Sequence, residues 1–291
     1  MKTKTAFSAL AGMCLAALLV VSVPLAAAGP KAGPAPQRAK TTDVQLLAIN
    51  DFHGNLEAAR FSSIAGVPAG GVEYLSTHIQ NLEGTNPNTL VVSAGDLIGA
   101  SPLLSGLFHD EPTIEAANIF GLDFNAVGNH EFDEGAAELL RMQEGGCHPV
   151  DGCQDGTPFA GADFRFLAAN VSDEESGETL FPPYEIVKFQ GVKMALIGMT
   201  LEETPSIVTP SGVAGLDFAD EADTVNALVP ELRKRNVETI VVLLHQGGNP
   251  AEDAGINGCG VSGAIVDIVE RTSDEVDLFV TGHTHQAYNC V

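Results

Sequence analysis

The sequence Gly-Asn-His-Glu-Phe-Asp, residues 128–133, directly follows a short apolar run, residues 122–127. Such a run ending in glycine is typical of a buried strand, and the loop after a strand exposes side chains that the sheet holds in place. This loop offers an amide, an imidazole and two carboxylates, which are groups for metal binding and proton transfer. The same residue types are also common in ordinary turns. The stretch alone therefore leaves both interpretations open.

Four other apolar runs end in similar residues, so the pattern recurs along the chain. These runs are residues 46–49, 90–92, 240–244 and 278–280, and the polar residues after them are Asp51, His53, Asp96, His245, His283 and His285. Taken singly, each is explained by an Asx-turn, by a histidine on the surface or by a core histidine whose ring nitrogens are hydrogen-bonded. Five strand ends that each offer a metal-type ligand are better explained by one shared site.

The spacing within these clusters supports metal binding. Asp51 and His53 are two residues apart, so in an extended segment both side chains face the same way, and His283 and His285 repeat this arrangement. Asp96 ends a run that is apolar on both faces, where an unpaired carboxylate would be costly. One carboxylate can share its oxygens between two ions, which makes Asp96 the natural bridge.

With Asn129 the candidate ligands number seven, and their mixed oxygen and nitrogen atoms suit two borderline divalent ions such as zinc, manganese, iron or cobalt. Hydrolytic sites commonly hold two ions about 3.5 to 4 Å apart, which produce a hydroxide at neutral pH and neutralise a phosphate during in-line displacement. His130 and Asp133 remain outside this set. Their types fit a proton-carrying histidine and the carboxylate that orients it.

Composition limits the partners. The chain has 291 residues, 45% of them hydrophobic, and a net charge of -24 from 14 basic and 38 acidic residues. Binding to duplex nucleic acid depends on basic side chains that neutralise phosphates, so a nucleic acid duplex is excluded as a partner. An anionic small substrate would need a local positive centre, which bound divalent metals can supply.

The N-terminus has the pattern of an export signal. Residues 1–28 combine two early lysines, an apolar core at 9–23 and a small-residue cleavage site ending at Ala28, as in a signal peptide. An uncleaved anchor is the alternative, which Pro24 and the short core disfavour. Residues 29–42 are a flexible Pro/Ala-rich lead. We therefore expect a secreted or periplasmic (cell envelope) protein without stable membrane insertion after cleavage.

The even number of cysteines left after cleavage of the signal peptide is consistent with an exported protein that contains disulfides. Cys147, Cys153, Cys259 and Cys290 remain after cleavage, and three pairings are open. The short Cys147 to Cys153 spacing favours a bond between these two, which leaves Cys259 for Cys290. A zinc site that combines Cys147 and Cys153 with His148 is the alternative, although its spacing matches no common zinc pattern.

Strand and helix patterns alternate from residue 43 onward, which predicts an α/β layered fold. We see no pattern for a second domain. The predicted strands are residues 44–49, 89–94, 122–127, 163–170, 184–189, 192–198, 239–244 and 277–280. The predicted helices are residues 71–82, 101–108, 111–120, 134–142, 220–235 and 261–271.

Together the motifs resemble those of the calcineurin-like metallophosphoesterases, and within them the exported bacterial 5'-nucleotidase and UDP-sugar hydrolase family. The matching motifs are Asp-Phe-His-Gly-Asn at 51–55, Gly-Asp at 95–96, residues 128–133, His245 and Gly-His-Thr-His at 282–285. They cover nearly all of residues 43–289 in order. The resemblance implies a four-layer αββα sandwich with a dimetal site at the C-terminal ends of the strands.

The resemblance also implies roles for single residues. One ion would be held by Asp51, His53, Asp96 and His285, and the other by Asp96, Asn129, His245 and His283. His130 and Asp133 would form the catalytic dyad.

The implied reaction is removal of phosphate from nucleoside 5'-monophosphates, with UDP-sugar hydrolysis as an additional candidate activity. A 2',3'-cyclic nucleotide phosphodiesterase, or another phosphoester hydrolase acting on a small substrate, is the alternative within the same fold. A non-catalytic secreted metal-binding protein is the alternative of another class. His130 and Asp133 argue against it, because metal binding alone would not require them.

Members of this family usually continue into a second domain that stacks on the base and supplies basic contacts to the substrate. The sequence ends at Val291, shortly after the last candidate ligand. We therefore expect residues 43–291 to be a catalytic domain without the C-terminal substrate-specificity domain; the alternative is that this sequence is a fragment of a longer protein. Its metal centre would be complete, and its nucleotide selectivity is left open.

Overall fold

The computed structural model describes residues 41–59 and 69–291. The predicted signal peptide and residues 29–40 of the predicted lead lie outside these residues. Within the described part of the chain, no helix combines the length and the apolar character needed to cross a bilayer.

The described residues contain twelve strands and seven α-helices. The strands are β1 Gln45–Ile49, β2 Ala58–Ala59, β3 Ala69–Gly70, β4 Thr89–Ser93, β5 Phe124–Ala126, β6 Arg165–Leu167, β7 Val171–Asp173, β8 Tyr184–Phe189, β9 Val192–Met199, β10 Leu216–Phe218, β11 Thr239–Leu244 and β12 Leu278–Thr281. The helices are α1 Val72–Glu83, α2 Leu103–Gly106, α3 Glu111–Phe120, α4 Ala136–Glu144, α5 Thr204–Ile207, α6 Glu221–Lys234 and α7 Ala264–Arg271.

Two four-stranded sheets form the centre of the fold. The first has the order β1-β4-β5-β6, and all its neighbours are parallel. The second has the order β12-β11-β9-β8, in which β8 runs antiparallel to its neighbour β9 and the other neighbours are parallel. Because parallel strands end at the same edge of a sheet, each sheet presents its carboxyl-end loops together.

The sheets pack face to face, and helices cover both outer faces. Leu90 and Val92 of β4 point to the space between the sheets and pack there with Val241 and Leu243 of β11. Val91, which lies between Leu90 and Val92, points to the opposite face, where residues of α1, α3 and α4 pack. Helices α6 and α7 pack on the outer face of the second sheet. The predicted four-layer αββα sandwich is confirmed.

Local sequence explains where several elements end. Helix α3 has Pro112 in its first turn and stops before Gly121, whose φ of 80° is the left-handed geometry that glycine adopts at a helix end. Helix α7 begins at Ala264 rather than at the predicted residue 261, because Ser262 pairs with Asn249 in an isolated bridge.

Some predicted elements are shorter than expected, and some were not predicted. Residues 101–108 contain only the four-residue helix α2, and the predicted strand 163–170 is reduced to β6. The pair β7 and β10 and the helix α5 have three or four residues each, which is too short for a periodic pattern to reveal them.

Both cysteine pairings are confirmed: Cys147 is bonded to Cys153, and Cys259 to Cys290. The alternative with Cys147 and Cys153 as zinc ligands is therefore wrong, because a disulfide sulfur is no longer the thiolate that binds zinc.

Candidate active site

The seven predicted ligands come together at the carboxyl ends of strands from both sheets. Asp51 and His53 follow β1, Asp96 follows β4 and Asn129 follows β5, all in the first sheet. The second sheet contributes the residues after β11 and β12, which are His245, His283 and His285. The site therefore depends on the packing of the two sheets.

The first group of ligand atoms belongs to Asp51, His53 and His285, and these atoms lie within 4.8 Å of one another. Nε2 of His285 is 3.4 Å from Oδ1 of Asp51 and 3.2 Å from Nε2 of His53. His53 is buried, whereas the side chain of His285 is 59% exposed. This group is therefore open to solvent on the His285 side.

The second group belongs to Asp96, His245 and His283, with Asn129 beside it. The Oδ1 atom of Asn129 is 3.1 Å from Nε2 of His245 and 3.0 Å from Nδ1 of His283. Asp96, Asn129 and His245 are buried. The amide oxygen of Asn129 thus lies between two imidazole nitrogens, in position to share an ion with them.

Asp96 connects the two groups. Its Oδ2 atom is 3.1 Å from Nε2 of His245 in the second group and 3.6 Å from Nε2 of His53 in the first. Its Oδ1 atom accepts a hydrogen bond of 2.9 Å from the backbone N–H of His130. The carboxylate is held by the backbone while its other oxygen faces both groups, as a bridging ligand requires.

The hydrogen bonds of the histidines test whether the residues fit bound cations. Nδ1 of His53 lies 2.9 Å from the carbonyl of Gly99, and Nδ1 of His245 lies 2.7 Å from the carbonyl of Ala94. A carbonyl can only accept, so each Nδ1 carries the proton and each neutral ring directs the Nε2 lone pair into the site. There the lone pairs meet carboxylate and amide oxygens. Such a convergence of acceptors fits divalent cations.

Without a cation, a proton takes its place. Burial opposes a charge on His245, but its hydrogen bond to Asp96 outweighs this effect and raises the pKa of His245 to about 9. Burial likewise opposes a charge on Asp96, yet the hydrogen bond and positive charge of His245 lower the pKa of Asp96 to about 2. The centre thus favours a positive charge next to Asp96.

The backbone at the candidate ligands is strained. Five of the seven residues are non-glycine residues in the left-handed region, which side chains rarely adopt. Their φ values are 49° for Asp51, 47° for His53, 50° for Asp96, 71° for His283 and 52° for His285. Strain of this kind concentrates at functional sites, where the surrounding structure enforces it.

Two glycines allow the loops to approach closely. A Cβ atom on Gly95 would lie 2.6 Å from Nδ1 of His245, and one on Gly128 would lie 2.2 Å from Oδ1 of Asp96. Both distances are too short for a carbon atom. The glycines before Asp96 and Asn129 therefore make room for the ligands contributed by other loops.

The predicted dyad lies beside the first ligand group. Nδ1 of His130 is 2.8 Å from Oδ2 of Asp133, and this oxygen also accepts the backbone N–H of Ala100 at 3.1 Å. The ring of His130 meets the ring of His53 edge to face, with centroids 5.1 Å apart. The hydrogen bond to Asp133 raises the pKa of His130, although burial opposes the shift. His130 is thus oriented and favoured in its protonated form.

Glu131 is part of the quoted motif, but sequence reasoning assigned it no role. Its buried carboxylate accepts backbone N–H groups of Asp96 (3.0 Å), Leu97 (2.8 Å) and Gly128 (2.7 Å). The side chain of Asn125 also donates to it at 3.2 Å. Glu131 thereby ties the loop after β4 to the loop after β5, and both loops carry candidate ligands. Only the three-dimensional arrangement reveals this connection.

Comparison with known proteins agrees with this geometry. The model of the family described as calcineurin-like phosphoesterase matches residues 44–287. The chain belongs to this family. A relative, the protein named endonuclease YhcR from Bacillus subtilis, is 34% identical over 84% of this chain and 20% of its own length. The cell wall protein Lmo0130 from Listeria monocytogenes is also 34% identical, over 94% of this chain and 37% of its own length.

Among solved phosphoesterase structures, a 5'-nucleotidase precursor from Thermus thermophilus matches with a TM-score of 0.63 and 27% identity. The match covers 83% of this chain and 42% of that structure. The chain thus spans less than half the length of each of these three proteins.

Proposed function

We propose that this chain is an exported dimetal phosphohydrolase that acts on nucleotides and removes phosphate from nucleoside 5'-monophosphates. The observation that carries the proposal is the Asp96 carboxylate, which faces both ligand groups while the backbone of His130 holds its other oxygen. Metal ligands and a proton-transfer group are thereby joined in one centre. The 5'-nucleotidase from Thermus thermophilus, with its similar structure, supports the nucleotide class.

The residues that would hold the ions are those of the two ligand groups. Asp51, His53, Asp96 and His285 would hold one, and Asp96, Asn129, His245 and His283 the other. Two divalent ions of the zinc or manganese class, when bound, neutralise phosphate charge and supply Lewis acidity. The buried carbonyls of Ala94 and Gly99 keep two of the rings in the tautomer that presents Nε2.

The dyad would act on the leaving group. Because Nδ1 of His130 is engaged with Asp133, Nε2 is the atom left to face a substrate. When His130 is protonated, it can give the proton on Nε2 to the oxygen that leaves with the nucleoside. Asp133, fixed by the N–H of Ala100, would orient the ring and stabilise its charge.

Export is part of the same proposal. Residues 1–28 have the pattern of a signal peptide, and the two disulfides require an oxidising compartment to persist. The Listeria monocytogenes relative is named a cell wall protein, which supports a location in the cell envelope or outside the cell.

The test is phosphate release by the purified chain from AMP, a 2',3'-cyclic nucleotide, a UDP-sugar and an aryl phosphate. Each assay is run after chelation and again after addition of manganese or zinc. We expect metal-dependent release that is fastest from AMP. Faster turnover of the cyclic nucleotide would replace the 5'-nucleotidase proposal by the phosphodiesterase alternative. Absence of turnover of every substrate by protein with bound metal would favour the non-catalytic alternative.

A further inference from the structure

A second cluster of candidate metal ligands lies outside the centre at the strand ends. It combines His109, just before α3, with Glu134 and Glu138, just before and within α4, and with His148. One ligand atom from each of these four residues lies within 4.8 Å of the other three. Two imidazoles and two carboxylates from three separate segments form a donor set that suits a zinc-type ion.

The hydrogen bonds of His109 match those of a metal-binding histidine. Its Nδ1 atom is 2.7 Å from Oε2 of Glu134, and its Nε2 atom is 2.9 Å from Oδ2 of Asp151. With the proton on Nε2, Asp151 fixes the tautomer and Nδ1 presents a lone pair towards Glu134. Histidine ligands of metals are commonly oriented by a carboxylate on their other nitrogen in this way.

The remaining ligands are held in place. The Cys147–Cys153 bond closes the loop that carries His148, whose ring stacks on that of His109 with centroids 3.8 Å apart. Nε of Arg141 donates to both carboxylate oxygens of Glu138, at 3.0 and 2.9 Å. The side chains of His109, His148 and Glu138 are all mostly buried. These contacts hold the three side chains close together without an ion, and only the tautomer of His148 has to change before its ring can bind one.

The charge around the cluster favours a cation. Two carboxylates belong to the cluster and two more lie beside it, and Arg141 supplies one fixed positive charge against these four. The acidic residues are Glu111, Glu134, Glu138 and Asp151. A divalent ion would reduce the excess negative charge of this group.

The cluster is next to the dyad. A cavity of about 140 Å³ is lined both by His109, Glu134 and Glu138 of the cluster and by His130 and Asp133 of the dyad. Glu134 directly follows Asp133 in the chain. An ion here would tie the disulfide-closed loop to the segment that carries the dyad.

We propose that His109, Glu134, Glu138 and His148 form a structural site for a divalent ion of the zinc class, distinct from the centre at the strand ends. The site does not depend on the proposed hydrolase function. The competing arrangement is an ion-free one, in which His109 is a cation between Glu134 and Asp151, and Nδ1 of His148 accepts the Asp151 N–H at 3.1 Å. Zinc binding through Nε2 of His148 requires this ring to change tautomer.

The test is the zinc content of the purified chain after equilibration with zinc and removal of free metal. Two variants address the cluster: His148→Phe keeps a stacking ring without a donor, and Glu134→Gln changes a half-exposed carboxylate with little risk to folding. The matched control is His78→Phe, which removes an exposed histidine that is a candidate ligand of neither site. Asp96→Asn removes the shared ligand of the other centre.

We expect the unmodified chain and His78→Phe to hold one more equivalent of zinc than His148→Phe and Glu134→Gln. We expect Asp96→Asn to lose zinc from the other centre and to keep this equivalent. Equal zinc content in the unmodified chain and Glu134→Gln, and in His148→Phe if it folds, would overturn the site in favour of the ion-free arrangement. A loss of zinc only in Asp96→Asn would also overturn the proposed cluster site, and it would support metal binding by the strand-end centre.

Discussion

Nδ1 of His130 lies 2.8 Å from Oδ2 of Asp133, and that same carboxylate oxygen accepts the backbone N–H of Ala100 at 3.1 Å. The carboxylate is thus fixed by the loop after β4 and orients an imidazole from the loop after β5. His130 holds the candidate ligand Asp96 through its backbone N–H and not through its ring. Removal of this ring can therefore separate catalysis from metal binding.

His130→Ala should lower kcat by about 10²- to 10⁴-fold, which is the usual contribution of a positioned proton donor. Its metal content should stay at the level of the unmodified chain, because the backbone N–H that holds Asp96 is retained. Phosphate release and metal analysis on the same preparation measure both quantities. His78→Ala, at an exposed helical position, is the control. Unchanged kcat in His130→Ala would show that His130 and Asp133 do not act as a catalytic dyad.

Glu131→Gln should weaken the connection between the two ligand loops. The buried carboxylate accepts three backbone N–H groups, and a carboxamide directs its own N–H₂ group at one or more of these donors. We expect a loss of about 1 to 3 kcal/mol in the free energy of unfolding and weaker retention of metal. Urea unfolding and metal analysis test this, with the exposed Glu175→Gln as control. Equal stability of the two variants would show that Glu131 is not a positioning residue.

Asp220 should stabilise the start of α6 in a pH-dependent way. Its side chain accepts the N–H of Asp223 at 2.8 Å and a hydrogen bond from Arg271 at 2.6 Å. Burial opposes the charge on Asp220, but the bonds from Arg271 and Asp223 outweigh burial and lower its pKa. A lowered folded-state pKa stabilises the protein above the unfolded-state value of about 3.9, and this stabilisation is lost as the pH falls through the folded-state pKa.

Asp220→Ala should therefore cost about 1 kcal/mol of unfolding free energy at neutral pH, as for other helix caps. The difference in unfolding free energy between Asp220→Ala and the unmodified chain should shrink as the pH falls below about 4. Denaturant unfolding at several pH values measures this, with Asp274→Ala at an exposed position as control. If this difference in unfolding free energy grew in acid, the pKa of Asp220 would not be lowered by folding.

The two disulfides should contribute unequally to stability. The Cys259–Cys290 bond joins residues 31 apart, whereas the Cys147–Cys153 bond joins residues 6 apart. The loss of chain entropy in the unfolded state predicts a stabilisation of about 4 kcal/mol by the bond that closes the long loop and about 2 kcal/mol by the bond that closes the short one. Double Cys→Ser variants of each pair, compared by urea unfolding, test the order. A larger loss of unfolding free energy in the Cys147/Cys153 variant would mean that chain entropy does not determine how much each disulfide stabilises the fold.

The grouping of the seven candidate ligands was predictable from sequence, because each candidate lies within a few residues of the end of an apolar run. Asp96 and His245 follow runs that are apolar on both faces, which marks central strands. Parallel strands bring their carboxyl ends to one edge, so the order of residues along the chain already indicated proximity. The pairing of Cys147 with Cys153 was similarly accessible, because the two residues are close in the sequence.

Other features depend on contacts between distant segments. The role of Glu131 follows from N–H groups that converge from two loops, and nothing in its neighbours' sequence signals this. The cluster of His109 with His148 joins residues far apart in the chain and matches no familiar metal-ligand spacing. Short elements such as β7 and β10 also escaped prediction, because three residues cannot show a period.

The most direct test of the central claim compares AMP hydrolysis by the unmodified chain and by Asp96→Asn, each stripped of metal and then supplied with manganese or zinc. We expect phosphate release by the unmodified chain only after metal is restored, and no metal-dependent release by Asp96→Asn, since the carboxylate between the two ligand groups is lost. Full activity of the stripped chain, or normal activity of Asp96→Asn, would contradict a phosphohydrolase built on two ions that share Asp96.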